Sequence, residues 1–490
     1  MVETKITYSS VCSGIEIAHL AWQSLGFQPL WFSETAKFPS KLLEYHYPNT
    51  PNYGDMVCLA DMIAKGEIEA PQLLCGGTPC NSFSSLGKKK GLNDERGLLS
   101  LEFCHIADTI DNVRTSNKVG ASLVLWENVE GVLKDKDNAF GIFLHHLTNN
   151  KSTLEISKWN QCGIVVGKKR TAVWRVLDTV HFGLPQRRKR VFVIATANPK
   201  YNVADMLIEC GEYSLNLAKR HKEYESITKG NSKVEVFSNV ANCLFSCYGE
   251  KYNGNHTANN GAMFVAENGK LRRFTPIECE RLMGVPDNYT LIPNVKGDIP
   301  RYKALGNAWA VNVIRWIGER IFNNPSNKVI ELLPIGSNGI FQFCGCISTN
   351  ENCFINGSSS PYNHSTNHIF NILQNNVPNK YYLTVAICEG IIRRSKERNL
   401  KMNKRVESLM KCLITRSKSL KTEETSLLVA LGDKIKNIRK LQHITQRQLA
   451  SDVGLSNVYL TRLENGKENI SILNLEKIAY ALGVEVKDFF

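Results

Sequence analysis

The chain has 490 residues, too many for one ordinary core, and reads as two or three domains. Hydrophobic residues make up 43% and charged residues 22%, the balance of a globular protein. No apolar run approaches the roughly 20 residues that span a bilayer, and the opening MVETKITYSS lacks the apolar core of a signal peptide, so no membrane role and a cytoplasmic location are expected. A formal net charge of +14 favours a polyanionic partner without distinguishing DNA, RNA and membrane headgroups.

In chain order, residues 8–12, 73–75, 123–126 and 190–195 read as short apolar strands, and residues 17–25 and 98–113 carry apolar residues at helical spacing. This alternation predicts an α/β fold, a mostly parallel sheet with helices on both faces and ligands beyond the carboxyl ends of the strands. From 197 to 270 the periodicity fades into a loop-rich insert, and helical order returns at 271–284 and 308–322. Residues 325–379, rich in Asn, Ser and Gly, read as linker with little structure of its own. A basic helical segment follows, and then a compact helical domain from 428 to 490.

Fifteen scattered cysteines show no paired framework and read mostly as free thiols. Cys344, Cys346, Cys353, His364 and His368 fit no common zinc spacing, so no metal is expected.

The chemistry-bearing residues follow the strands. Gly14, after the first, permits a tight turn that exposes backbone N–H groups, although one glycine alone is most often only a turn. Glu34 follows the second strand, where a carboxylate can accept from ribose hydroxyls, and Asp55 could accept from an adenine amino group; solvated loop and turn carboxylates are the competing readings. Cys80 lies on the loop Gly76-Gly77-Thr78-Pro79-Cys80 at the end of a buried strand, which presents the thiol to a cleft as a nucleophile. Glu127, placed directly after an apolar strand, could stay partly protonated in a closed cleft and donate to a ring nitrogen. Arg188 and Arg190 share one face of the following strand and suit a base carbonyl or phosphates; a generic basic edge strand competes.

Taken in order, Ser-Gly-Ile (13–15), Glu34, Gly54-Asp55, Thr-Pro-Cys-Asn-Ser-Phe-Ser (78–84), Arg-Gly-Leu-Leu (96–99), Glu-Asn-Val (127–129) and Pro-Gln-Arg-Arg-Lys-Arg (185–190) resemble the DNA cytosine-C5 methyltransferases. Arg-Arg-Phe-Thr-Pro-Ile-Glu (272–278), Arg-Leu-Met-Gly-Val-Pro (281–286) and Leu-Gly-Asn-Ala (305–308) complete the series, which covers about residues 5–322. The resemblance implies a Rossmann-like sheet dependent on S-adenosylmethionine. Its catalytic part would be 1–196 and 271–324, enclosing a target-recognition region at 197–270, with linker and basic helix at 325–427. It also implies Cys80 as the nucleophile, Glu127 as the holder of the base N3 and amino group, and Arg190 with Arg188 near the base O2. Cys12, Gly14, Ile15, Glu34, Asp55, Met56, Pro79 and Asn307 would line the cofactor site. The chain departs from the family pattern at Glu16 and Ile17 (usually glycines), Asn81 (usually glutamine) and Asn312 (often proline).

Within 428–490, Ile435, Ile438 and Leu441 form an apolar stripe, and Leu460, Leu463, Leu473, Leu475, Ile478, Ala481 and Leu482 supply a core. Thr445 and Ser456 are N-cap candidates, and Gly454 makes a turn. Thr-Gln-x-x-Leu-Ala, Gly-Leu-Ser and Glu-Asn-Gly together resemble the phage-repressor helix-turn-helix, with a dimerisation-only bundle as the bland alternative. This resemblance implies a recognition helix at 456–462, with Ser456, Asn457, Val458, Thr461 and Arg462 facing duplex DNA and Gln446 at a phosphate. It also implies a homodimer on a palindromic site and a regulatory role, and it leaves open a cognate restriction endonuclease. Transfer RNA methylation and an inactive DNA-binding regulator are the rival readings. The fused DNA-binding domain argues against the first, and intact Cys80, Glu127 and Arg190 against the second.

Overall fold

The computed structural model describes residues 5–79, 98–211, 227–228, 234–249, 261–349 and 354–490. The chain forms two compact units, one holding most of residues 1–382 and the other residues 383–490 with 269–271.

The first unit is built on an eight-stranded sheet. Strands β1 (Thr7–Val11), β2 (Gln28–Ser33), β3 (Leu73–Gly76) and β4 (Leu123–Val129) pair in parallel in the order 2-1-3-4. Strands β5 (Cys162–Val166), β6 (Thr171–Asp178) and β7 (Lys189–Thr196) continue the sheet antiparallel, β7 beside β4. The expected mostly parallel sheet is therefore parallel in one half only. Short connections join β5 to β6 and β6 to β7, whereas a parallel step needs a long crossover.

Successive side chains point to opposite faces, as strand geometry demands. Leu73, Cys75, Leu123, Leu125, Phe192 and Ile194 enter one apolar cluster, and Leu74, Val124, Trp126, Val191 and Val193 enter another. Helix α1 (Ile17–Trp22) and the helix Val311–Asn323 cover the first face. The helices Leu59–Ala64, Leu98–Ser116 and Ala139–Thr148 cover the second. Phe103, Ile106, Ala107 and Ile110 show the i, i+3, i+4, i+7 stripe that seats one of them.

Residues 325–379 are not the linker of little structure that composition suggested. The strand Ile340–Phe343 pairs antiparallel with β5 as an edge of the sheet. Gly345–Ser348 pairs with Phe354–Gly357, which pairs with Glu209–Gly211. The polar residues there satisfy buried partners. Asn356 Nδ2 donates to Glu209 at 3.0 Å, and the buried Arg175 donates to the carbonyls of Ser358 and Ser360. Strands of four residues are too short to show a period.

The second unit contains the helices Val385–Glu397 and Lys404–Leu441 and a bundle closed by Gln446–Asp452, Asn457–Glu464 and Ile472–Ala481. The 38-residue helix runs unbroken through position 428, where composition had placed a boundary. Ile435, Leu449, Leu460, Leu463, Leu475, Ile478 and Leu482 form its core. Leu473, expected in the core, and Leu441, expected on the apolar stripe, do not take part: Leu473 is 71% exposed and Leu441 79% exposed. Leu473 lies in the first turn of its helix, pointing away from the stripe Leu475–Ile478, and Leu441 is the last residue of its own. Twelve cysteines among the described residues are free thiols, whereas Cys210 is disulfide-bonded.

Candidate active site

The loop after β1 begins a cleft lined by Ser10, Cys12, Gly14, Ile15, Glu16, Gly76, Gly77, Glu127, Asn307 and Trp309. Gly14 has φ +57°, the left-handed conformation that glycine accepts without strain, and its N–H donates to Glu34 Oε2 at 2.8 Å. Glu34 also accepts from the N–H of Ala36 at 2.7 Å, so its carboxylate braces the loop. Tyr289 Oη donates to the carbonyl of Ile15 at 2.7 Å. Asp55 caps the short helix Met56–Cys58, and Met56 Sδ lies 4.0 Å from Cys12 Sγ. Burial, with the carboxylates of Glu34 and Asp55, pushes the Cys12 thiol up to about 12, which keeps it neutral.

Glu16 stands where the family pattern has a glycine, and the backbone shows why glycine is usual: its φ is +53°. Its buried carboxyl accepts from Ser10 Oγ at 2.6 Å, Tyr8 Oη at 3.1 Å and the N–H of His19 at 3.3 Å. These bonds offset a left-handed conformation that costs an L-residue about 1–2 kcal/mol. Burial raises this carboxyl to about 7 against the pull of its donors.

Cys80 lies outside the described residues. The approach to it is firmly held. Trp126 Nε1 donates to Thr78 Oγ1 at 2.9 Å, Thr78 Oγ1 meets Ser100 Oγ at 2.6 Å, and Asn128 Nδ2 donates to the Thr78 carbonyl at 3.1 Å. Pro79, next in line, is exposed.

Glu127 lies within β4 rather than after it, because β7 pairs along the whole strand and keeps it extended. Its carboxyl is held on both sides. Arg190 Nε meets Oε1 at 3.0 Å, and Trp309 Nε1 donates to Oε2 at 3.0 Å. Burial raises its pKa, and Arg190, Arg188 and the Trp309 bond each work against that rise. Gly77 fits because a Cβ there would come 2.9 Å from Glu127 Oε2 and 3.2 Å from Trp309 Nε1.

Arg188 does not join this group as a contact residue. Its buried guanidinium donates to the carbonyls of Leu244 at 3.0 Å, Gly306 at 3.0 Å and Ala308 at 2.6 Å, and so braces the turn that carries Asn307. Burial and the adjacent Arg190 pull it down to about 10. Sequence reasoning also passed over Trp309, although it directly follows the Asn307-Ala308 motif. It passed over Cys243 too, whose Sγ lies 3.3 Å from Arg188 and 3.8 Å from Arg190.

In the second unit Thr445 forms a capping box with Gln448, Ser456 caps the helix Asn457–Glu464, and Gly454 turns at φ +69°. Asn457, Val458 and Arg462 are exposed, Val458 by 69%. Arg462 meets Glu468 at 3.1 Å. Thr461 is half-buried, its hydroxyl donating to the Asn457 carbonyl at 2.7 Å. Gln446 differs from expectation. Its Nε2 donates inward to Glu464 Oε2 at 2.7 Å, because Glu464 is buried against Arg439 and has an acceptor to spare.

The family model for C-5 cytosine-specific DNA methylase matches residues 6–243 and 207–323. The chain belongs to that family. A helix-turn-helix model matches residues 435–489. Among curated relatives, a DNA N-6-adenine-methyltransferase of Escherichia phage P1 is 31% identical, the match covering 65% of this chain and 61% of that protein. The chain thus spans less than two thirds of that relative, whose name refers to adenine. The type II methyltransferase M.HhaI of Haemophilus parahaemolyticus is 27% identical over 65% of this chain and 94% of its own length. A solved methyltransferase of Entamoeba histolytica is similar over 66% of this chain and 99% of its own, at 16% identity and a TM-score of 0.44. Among the described residues no helix is long and apolar enough to cross a membrane, and no group of three His, Cys, Asp or Glu is placed to hold a metal.

Proposed function

We propose that this protein methylates C5 of a cytosine flipped out of a specific duplex DNA sequence, using S-adenosylmethionine. The observation that carries the reading is the double hold on Glu127, a buried carboxyl with a raised pKa beside the loop that leads to Cys80. The cleft suits a cationic adenosyl ligand: Glu16 and Glu127 line it, Glu34 and Asp55 lie beside its Cys12, and Gly14, where a Cβ would meet nothing nearer than 3.9 Å, leaves room for close backbone approach. The ligand would supply an electrophilic methyl group on a sulfonium.

The rest of the chemistry falls to the chain. C5 of cytosine is a poor nucleophile inside a stacked duplex, so the base must be extruded. Cys80 Sγ, as thiolate, adds to C6, while Glu127 protonates N3 and accepts from the amino group, pushing electron density to C5. C5 takes the methyl group, then loses its proton to a base, and the C6–S bond breaks to restore the ring. Arg190 orients Glu127 and offers its remaining N–H groups to the base O2. Arg188 keeps the Asn307 turn in place. The recognition region at 197–270 belongs to the same proposal.

The C-terminal domain is read as a transcriptional regulator of the methyltransferase gene or its neighbours, binding as a homodimer through helix Asn457–Glu464. A partner restriction endonuclease fits the type II relatives. Incubation with methyl-labelled cofactor, mixed duplex DNA and transfer RNA, followed by sequencing for 5-methylcytosine, tests the activity. Methylation of transfer RNA alone, or of neither, would overturn it. Footprints confined to methylation sites would remove the regulatory role.

A further inference from the structure

The second unit distributes its charge unevenly. Residues 442–490, which hold the helix-turn-helix, carry five Lys and Arg against six Asp and Glu. Residues 385–441 carry fifteen against six. A duplex attracts protein chiefly through Lys and Arg that neutralise phosphates, so this surplus lies ahead of the recognition helix, not on it.

On the helix Lys404–Leu441 the surplus is also ordered. With 3.6 residues per turn, Lys404, Lys411 and Lys418 fall on a stripe about 40° wide, with roughly 10 Å between successive members. Lys436 and Lys440 return to the same stripe near the C-terminal end, against Glu407 and Asp433 at its margins. Lys404, Lys411 and Lys418 are all exposed, and Lys411 pairs with Glu407 at 2.7 Å. Leu413, Leu420 and Leu427 run along the opposite side. The same helix packs directly on the recognition helix. Arg439 forms a bidentate pair with Glu464, and a Cβ at Gly432 would meet the Leu463 carbonyl at 2.4 Å.

We propose that Lys404, Lys411 and Lys418 form a phosphate-binding track for duplex DNA, supplying affinity while helix Asn457–Glu464 supplies sequence preference. The choice of DNA rests on the DNA-binding reading of that helix. The track is a positioning surface and takes no part in methyl transfer.

The test uses the full chain and a short fluorescent duplex of arbitrary sequence, with the dissociation constant followed by anisotropy between roughly 50 and 200 mM NaCl. Combining Lys404→Gln, Lys411→Gln and Lys418→Gln should lower the slope of log affinity against log salt by about 2.7, at about 0.9 per phosphate contact. Affinity should fall alike for all sequences, with the circular dichroism spectrum and cofactor binding unchanged. A matched control combines Lys151→Gln, Lys158→Gln and Lys168→Gln in the first unit. An unchanged slope, an equal drop in the control, or lost binding to anionic phospholipid vesicles with DNA binding intact would each overturn the proposal. A lowered slope without any selectable operator would sustain the track and remove only the recognition reading.

Discussion

The two units use a buried carboxylate in opposite ways. In the first, Glu127 stands at the wall of a cleft, and each oxygen meets a donor that a ligand could share or displace. In the second, Glu464 is buried against Arg439 and Gln446, and its helix presents Asn457 and Val458 outward. A buried charge next to empty space is poised for chemistry. One surrounded by its own partners fixes a shape.

The sharpest way to break this comparison is Cys80→Ser, which should reduce methyl transfer to background while DNA binding by the C-terminal domain persists. Transfer at the parental rate would remove the covalent reading. Glu127→Gln should lower kcat about 10²–10⁴-fold, the range for a positioned proton donor, measured by single-turnover methyl transfer. Because the protonated carboxyl is the form that donates, activity should fall as pH rises through its pKa. Trp309→Phe removes a donor that favours the anion, so that alkaline limb should move to higher pH. An unmoved limb would assign Trp309 to packing alone.

In the second unit, Arg439→Ala leaves Glu464 buried without its cation and should cost about 3–5 kcal/mol in denaturant unfolding of that unit, with the methyl-transfer rate on arbitrary DNA unchanged. A loss below about 1 kcal/mol would place this pair with surface bridges. The smallest effect is expected at Glu16. Its folded pKa is raised from 4.5 to about 7, so its contribution is fully present below pH 4.5 and is lost as pH rises through 7. Glu16→Gln should therefore stabilise the protein by roughly 1–3 kcal/mol at pH 8 and leave it unaltered near pH 4, read from unfolding curves at both values.

Much of this architecture is legible in the chain itself. Strand cores such as 73–75 and 191–195 announce themselves because both faces are buried and the apolar run is continuous. The motif residues Gly14, Glu127 and Asn307 converge on one cleft because each follows or belongs to a neighbouring strand or turn. The strands Ile340–Phe343, Gly345–Ser348 and Phe354–Gly357 stay hidden because four residues are too few to show a period. Arg188 misleads for a related reason: its alternation with Arg190 sets its face but says nothing of the three carbonyls waiting there.

Residue order alone therefore determined the family core and the helix-turn-helix, and it singled out the thiol and carboxyl on which the proposed chemistry rests, since those depend on local pattern and side-chain type. Only tertiary structure decided that Trp309 closes the other side of Glu127, that Arg188 and Gln446 turn inward, and that a supposed linker completes the sheet. Those outcomes depend on which distant backbone atoms meet a given side chain, and long-range geometry leaves no periodic trace in sequence.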